Sequence, residues 1–219
     1  MTKHAEYEEI NVEPALNPNK LILASSSPRR KELLKLLGIP FTVVEPQVEE
    51  VVRTNEPELF VQELAIRKAS AITGKGIIVA ADTIVVFEDK ILGKPADQQE
   101  AYEMLLLLQG KPHLVITGVA VATPESMSSS HCTTRLIMRQ YSEEEVRAYV
   151  SSGRAMDKAG AYAIQDADFN PVVSYKGCYL NVIGLPLCTL IRLLRKSGLL
   201  VENFHKPQEC LECHAEDQL

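Results

Sequence analysis

Ile77 to Phe87, spelled Ile-Ile-Val-Ala-Ala-Asp-Thr-Ile-Val-Val-Phe, constrains the fold more than any other part of the chain. A long apolar run rich in β-branched residues is the signature of a strand buried on both faces, and such strands lie inside sheets covered by helices. One charge interrupts the run. A carboxylate at Asp82 gives up its hydration on burial and needs compensation from a cation, a metal or a proton-accepting role. A functional site and a structural ion pair both meet that need. The first is the better reading, because buried carboxylates with a specific charge partner gather at functional sites.

Around this strand the pattern alternates between two periods. Leu21 to Ala24 is a short apolar run closed by a serine cluster, and Pro28 opens a periodic stretch through Leu33, Leu34, Leu36 and Leu37, giving strand, turn, helix. Phe41 to Glu45 reads as a strand, and Glu58 to Ile72 as a helix started after Pro57 and stopped by Gly74. Asp89-Lys90 marks a hairpin that returns through Ile91-Leu92. Asp97 to Leu108 is expected as a helix, with His113 to Ala122 and Ser130 to Met138 as strands paired across a loop containing Pro124. Ser142 and Glu145 form a capping box for a helix reaching Ser151. Shorter strands are expected at Ala161 to Gln165, Val172 to Tyr175 and Tyr179 to Val182, and Pro186 opens a closing helix to Lys196. No repeat of about 20–50 residues suggests a solenoid. The fold class is α/β, with an extended, twisted mixed β-sheet flanked by helices. Residues 1–19 read as a polar leader, 20–198 as the folded domain and 199–219 as a polar tail.

At 219 residues the chain is long enough for one domain with a sizeable core. Its net charge of -6 opposes sequence-independent binding to nucleic acid, which needs surplus Lys and Arg, but a local basic cluster still suits a small anion. Purely apolar runs such as Met104 to Leu108 fall far short of the roughly 20 residues that a membrane-crossing helix needs. Residues 1–19 lack the apolar stretch of a secretory signal. These features point to the cytoplasm, with neither nucleic acid nor membrane as partner. Five cysteines, an odd count with three in apolar segments, argue against a disulfide framework. His205, Cys210, Cys213 and His214 spell a partial metal site, but neighbours Cys213 and His214 do not easily reach one tetrahedral ion. The expected reading is a tail without metal.

Three further segments carry chemistry. In Ser25-Ser26-Ser27-Pro28-Arg29-Arg30, Ser27 is placed to cap a helix whose first residue is Pro28, so free amides converge where anions bind. Two arginines in that first turn oppose the helix dipole, an unfavourable choice unless something negative binds there. A phosphate satisfies it; so do ion pairs to Glu32 or Glu49. In the second helix, Val61, Leu64, Lys68 and Ala71 share a stripe, which turns Lys68 inward, either toward an anion pocket or snorkelling to the rim. Gly93-Lys94-Pro95 holds a lysine at the end of the hairpin, and Glu49-Glu50 is a loop carboxylate pair that also reads as a solvated turn. No phosphate-binding P-loop, zinc-protease helix or nucleophile elbow occurs.

Together these segments resemble the Maf family, which is related in fold to the inosine triphosphate pyrophosphatases. The likeness runs from about Lys20 to Lys196. It takes in Leu23 to Leu34, Glu49-Glu50, Leu64 to Ala69, Ala81-Asp82-Thr83, Leu92 to Pro95, Asp157 to Gln165 and Val182 to Pro186. The resemblance implies two lobes with a nucleotide cleft between them, and hydrolysis of a nucleoside triphosphate to monophosphate and pyrophosphate with a divalent metal, usually magnesium. It matches Asp82 to the catalytic acidic position, Ser25, Arg30, Lys68 and Lys94 to substrate binding, and Glu50 with Asp82 to the metal. Arg29, Thr83 and Gln165 match the positions that accompany preference for dTTP and UTP, normal or modified. Ser26 stands where the family commonly has a glycine. The resemblance also carries a second reading, a nucleotide-binding regulator of cell division, but the set Asp82, Lys68 and Lys94 favours the enzyme, since a pure binder needs no general base. An extended sheet also leaves apolar edges that a homodimer would cover.

Overall fold

The computed structural model describes residues 20–49, 52, 54–74, 76–202, 204 and 207. The leader, Glu50 and the tail residues His205, Cys210, Cys213 and His214, expected to hold no metal, lie outside the described residues. In chain order the elements are β1 (Leu21–Ala24), α1 (Pro28–Lys35), β2 (Phe41–Val44), α2 (Pro57–Ser70), β3 (Ile77–Phe87), β4 (Lys90–Leu92) and α3 (Gln98–Leu108). There follow β5 (Pro112–Ala122), β6 (Met127–Met138), α4 (Glu143–Ser151), β7 (Val172–Lys176), α5 (Tyr179–Ile183) and α6 (Leu187–Lys196).

Among the described residues seven strands form one open mixed sheet in the order β2-β1-β3-β5-β6-β7, with β4 also on β3. β1 runs parallel to both β2 and β3, and every other pairing is antiparallel. The expected buried central strand is β3, and its alternation divides the core. Ile77, Val79 and Ala81 belong to one apolar cluster beneath α1, α5 and α6, while Val85 and Phe87 join a second cluster with α3 and α4. Thr83 stands between them on that face. On the opposite face Ile78 and Ala80 pack with Ala65 and Ala69 of α2, and Ile84 and Val86 with Val61. Asp82 stands between those two. One level of β3 thus carries a polar residue on each face, and the apolar core is split there into two lobes.

The same level is where the sheet opens. Along one edge, β3 is fully paired with β5 from Ile78 to Val86. Along the other, Ile77 to Ala80 pair with β1 and Val85 to Phe87 with β4, leaving the backbone of 81–84 between two strand ends. β1 ends because the chain turns through Ser25–Ser27 into α1, and β4 ends at Gly93. Ligands of open α/β sheets bind at such carboxyl ends, where strands diverge.

Two expected strands are corrected. Tyr179 to Val182 is the short helix α5, stopped by Gly184 in a left-handed conformation (φ 119°). Asn181, fully buried, donates its side-chain amide to Val115 O and Thr134 Oγ1, so it ties α5 onto the sheet instead of extending it. Ala161 to Gln165 is no strand either. A 3-10 turn covers Ala159–Ala161, and positive φ at Gly160 (67°) and Ala161 (62°) excludes an extended backbone. The hairpin turn falls at Glu88-Asp89, one residue earlier than expected. Ala71 is exposed, so the inward stripe of α2 is Val61, Leu64, Ala65 and Ala69. The Ser142–Glu145 capping box forms with both its hydrogen bonds.

Candidate active site

A cleft of about 630 Å³ opens at the gap beside β3. Its size is that of a small-molecule site. One wall is the β1–α1 turn. Ser27 has extended backbone (φ -71°, ψ 117°), and its hydroxyl accepts from Arg30 N at 3.5 Å, with Pro28 at the start of the helix. Ser25 is buried, donates its amide to Val44 O at 3.1 Å and accepts from Ser27 N through Oγ. Its hydroxyl proton remains for an oxygen acceptor.

Asp82 and Lys68 form the floor. The Lys68 ammonium donates to Asp82 Oδ1 at 2.5 Å, and the two side chains are only 12% and 11% exposed. Lys68 therefore points inward and does not snorkel. The close approach of α2 has a local cause. Gly118 of β5 is the cross-strand partner of Asp82, and a Cβ there would meet Val61 O at 2.3 Å. The absent side chain lets the α2 backbone settle directly on the sheet two turns before Lys68.

The two arginines of the first turn of α1 diverge. Arg30 Nε donates to Gly184 O at 2.8 Å and its Nη2 to Thr83 Oγ1 at 3.0 Å. Thr83 Oγ1 lies 2.9 Å from Thr117 Oγ1, and the Thr117 hydroxyl donates to Asn181 O. With the Thr117 proton so used, Thr83 is the donor between them. A fully buried relay from Thr117 to Asn181 thus fixes the anchor of Arg30. Arg29 takes the other direction, donating from Nη1 to Asp157 Oδ2 at 2.6 Å and from Nη2 to Asp157 O at 3.1 Å. Glu32 instead pairs with Lys35. The negative group that excuses Arg29 near a helix N-terminus is therefore Asp157, and neither Glu32 nor Glu49.

Lys94 is exposed on the far rim, and Gln165, also exposed, lines the cleft from the turn after Ala161. The fold gathers Ser25, Arg29, Arg30, Lys68, Asp82, Thr83, Lys94 and Gln165 around one cleft; Glu50 lies outside the described residues. Sequence reasoning missed Asp157 as a partner, and it missed Thr117 and His113. Thr117 carried a readable signal, a hydroxyl inside the apolar run of β5. Asp157 carried none, because its partner lies 128 residues away. Burial works against the Asp157 charge, but hydrogen bonds from Lys158 and Arg29 outweigh it and hold the carboxyl below its ordinary range. Beneath the cleft, His113 Nε2 lies 2.6 Å from the hydroxyl of cleft-lining Tyr162. Burial lowers the His113 pKa to about 4 and raises that of Tyr162, so both are neutral at neutral pH.

Residues 20–197 match the model of the Maf-like protein family. A Thermomicrobium roseum protein named dTTP/UTP pyrophosphatase is 44% identical over 201 residues, covering 88% of this chain and 92% of the relative. A Dehalococcoides mccartyi protein of the same name is 42% identical, covering 89% and 91%. One from Bacillus cereus is 44% identical, covering 84% and 92%.

Proposed function

The chain belongs to the Maf family, and from that premise we propose that it hydrolyses dTTP and UTP, normal or modified, to the monophosphate and pyrophosphate. The observation that carries this reading is the Lys68–Asp82 pair at the floor of a nucleotide-sized cleft, facing the capped N-terminus of α1. A shielded carboxylate beside an anion-binding wall is what attack by water on a phosphate requires.

The residues divide the work. Amides at the start of α1, with the Ser25 hydroxyl, receive phosphate oxygens. Lys68, Lys94 and Arg30 offset charge on the phosphates and on the departing pyrophosphate. Asp82 Oδ accepts a proton from the water that attacks the α-phosphorus. Pyrophosphate that is already charge-neutralised leaves without a separate general acid. Arg29, Thr83 and Gln165 read the base, and Thr83 also fixes the position of phosphate-binding Arg30.

A divalent cation of the magnesium class fits this donor set. Among the described residues no group of three or more His, Cys, Asp or Glu side chains forms a protein cage. Magnesium commonly needs only one or two carboxylates and completes its octahedron with substrate phosphates and water. Asp82 would supply one carboxylate and Glu50 the second. Bound there, the cation neutralises phosphate charge and favours departure of pyrophosphate.

The cytoplasm is the setting we propose, a compartment that keeps cysteine thiols reduced. No helix among the described residues is long and apolar enough to cross a membrane. Exposed Val43 and Val44 on edge strand β2, and Val173 and Tyr175 on edge strand β7, support a homodimer. The decisive experiment is pyrophosphate release from dTTP, UTP, CTP and GTP with and without magnesium. Release is expected from dTTP and UTP in magnesium; none from any nucleotide overturns the assignment.

A further inference from the structure

The cleft holds a second ion pair for which hydrolysis has no use. Asp157 receives Arg29 on two acceptors at once, its Oδ2 at 2.6 Å and its own backbone oxygen at 3.1 Å. Two bonds from the two ends of a planar guanidinium fix its direction as well as its place. The other carboxylate oxygen, Oδ1, accepts from Lys158 Nζ at 2.5 Å, and Lys158 also donates to Arg154 O. Arg154 in turn holds Asp166 at 3.0 Å and Asp168 at 2.9 Å, and Asp166 is the immediate neighbour of Gln165. Arg29 is thus tied, across 128 residues of sequence, to the segment between Arg154 and Asp168 that itself carries Gln165.

Charge gives this a purpose. An arginine in the first turn of α1 lies where a triphosphate is drawn, and without a partner it would turn toward those phosphates. Within the network of three cations (Arg29, Lys158, Arg154) and three carboxylates (Asp157, Asp166, Asp168), its charge is balanced locally. Five N–H donors are available and the two bonds to Asp157 use two, so hydrogen-bond donors remain for a neutral acceptor. Thymine presents O4 as an acceptor, whereas cytosine presents an N4 amino donor that would face Arg29 donor to donor. A donor held still therefore separates the two bases, and one that swings to phosphate does not.

We infer that Asp157 is a specificity-positioning residue, which holds Arg29 on the base and off the triphosphate. The inference rests on the reading that Arg29 faces the base. Its test uses wild type, Asp157→Asn and Asp157→Glu, with two readouts. One is the UTP-to-CTP ratio of kcat/KM for pyrophosphate release; the other is the UMP-to-CMP affinity ratio by calorimetry. Asp157→Asn is expected to narrow both ratios about tenfold, the worth of one well-placed hydrogen bond, with kcat for UTP largely kept. Asp157→Glu, which restores the charge, is expected to recover part of the preference. The Asp157 side chain is 55% exposed, so these variants should fold, and melting temperatures check it. Unchanged ratios in Asp157→Asn overturn the inference, as does an equal loss for both bases. If wild type releases no pyrophosphate, the enzymatic reading fails, while the UMP-to-CMP ratio still decides the role of Asp157.

Discussion

Two ion pairs line one cleft and are built in opposite ways. Lys68 and Asp82 are nearly buried and lie on a helix and a strand that pack face to face; Arg29 and Asp157 are 27% and 55% exposed and join a helix start to a turn. The buried pair sits where the core itself divides, so desolvation makes each charge depend on the other. The exposed pair is screened and contributes little to stability, but its geometry directs a side chain. With the roles proposed for them, chemistry is placed where the fold is rigid, and choice of base where the chain tolerates change.

The sharpest way to break this contrast is at Asp82. Asp82→Asn is expected to lower turnover by roughly 10²–10⁴, the usual worth of a general base, with nucleotide binding largely kept. Near-normal pyrophosphate release from that variant removes Asp82 as the base. Next in size is stability at the buried pair. Lys68→Met leaves a shielded carboxylate without its ammonium and should cost on the order of 3 kcal/mol in urea unfolding. The double variant Lys68→Met with Asp82→Leu should regain most of that loss, since an apolar pair carries no desolvation penalty. A double variant as unstable as the single one would mean that packing, not charge, sets the cost. The smallest effect is expected at the exposed pair. Arg29→Ala should move unfolding stability by about 0.5 kcal/mol or less. A larger loss would show that the clasp holds the two lobes together and does more than orient Arg29.

Much of the site was legible because its signals are local. Asp82 was a charge in a buried strand, Lys68 a charge on an apolar stripe, and Ser27-Pro28 a helix start, each within a few residues of sequence. Even the capping box at Ser142 needed only the spacing to Glu145. The misreadings share one cause. Tyr179 to Val182, short and mostly apolar, was open to a strand reading, but Asn181 found its hydrogen bonds on β5 and β6, and Gly184 ended the turn as a helix. At Ala161 the local pattern looked extended, yet positive φ at two successive residues turned the chain toward the cleft. Tertiary partners overrode weak local preference in both places.

The sequence by itself determined the alternation of strands and helices, the buried central strand with its single charge, and the Ser27 cap that starts α1. These depend on periodicity and on backbone chemistry over one or two turns. Only the tertiary structure decided that β1 and β4 stop short of each other along β3, opening the sheet at 81–84. It also decided that Arg29 meets Asp157 and that Arg30 is held by Thr83 and Gly184. Partner choice over such separations depends on which surfaces pack, and a charge carries no record in sequence of the distant group that will balance it.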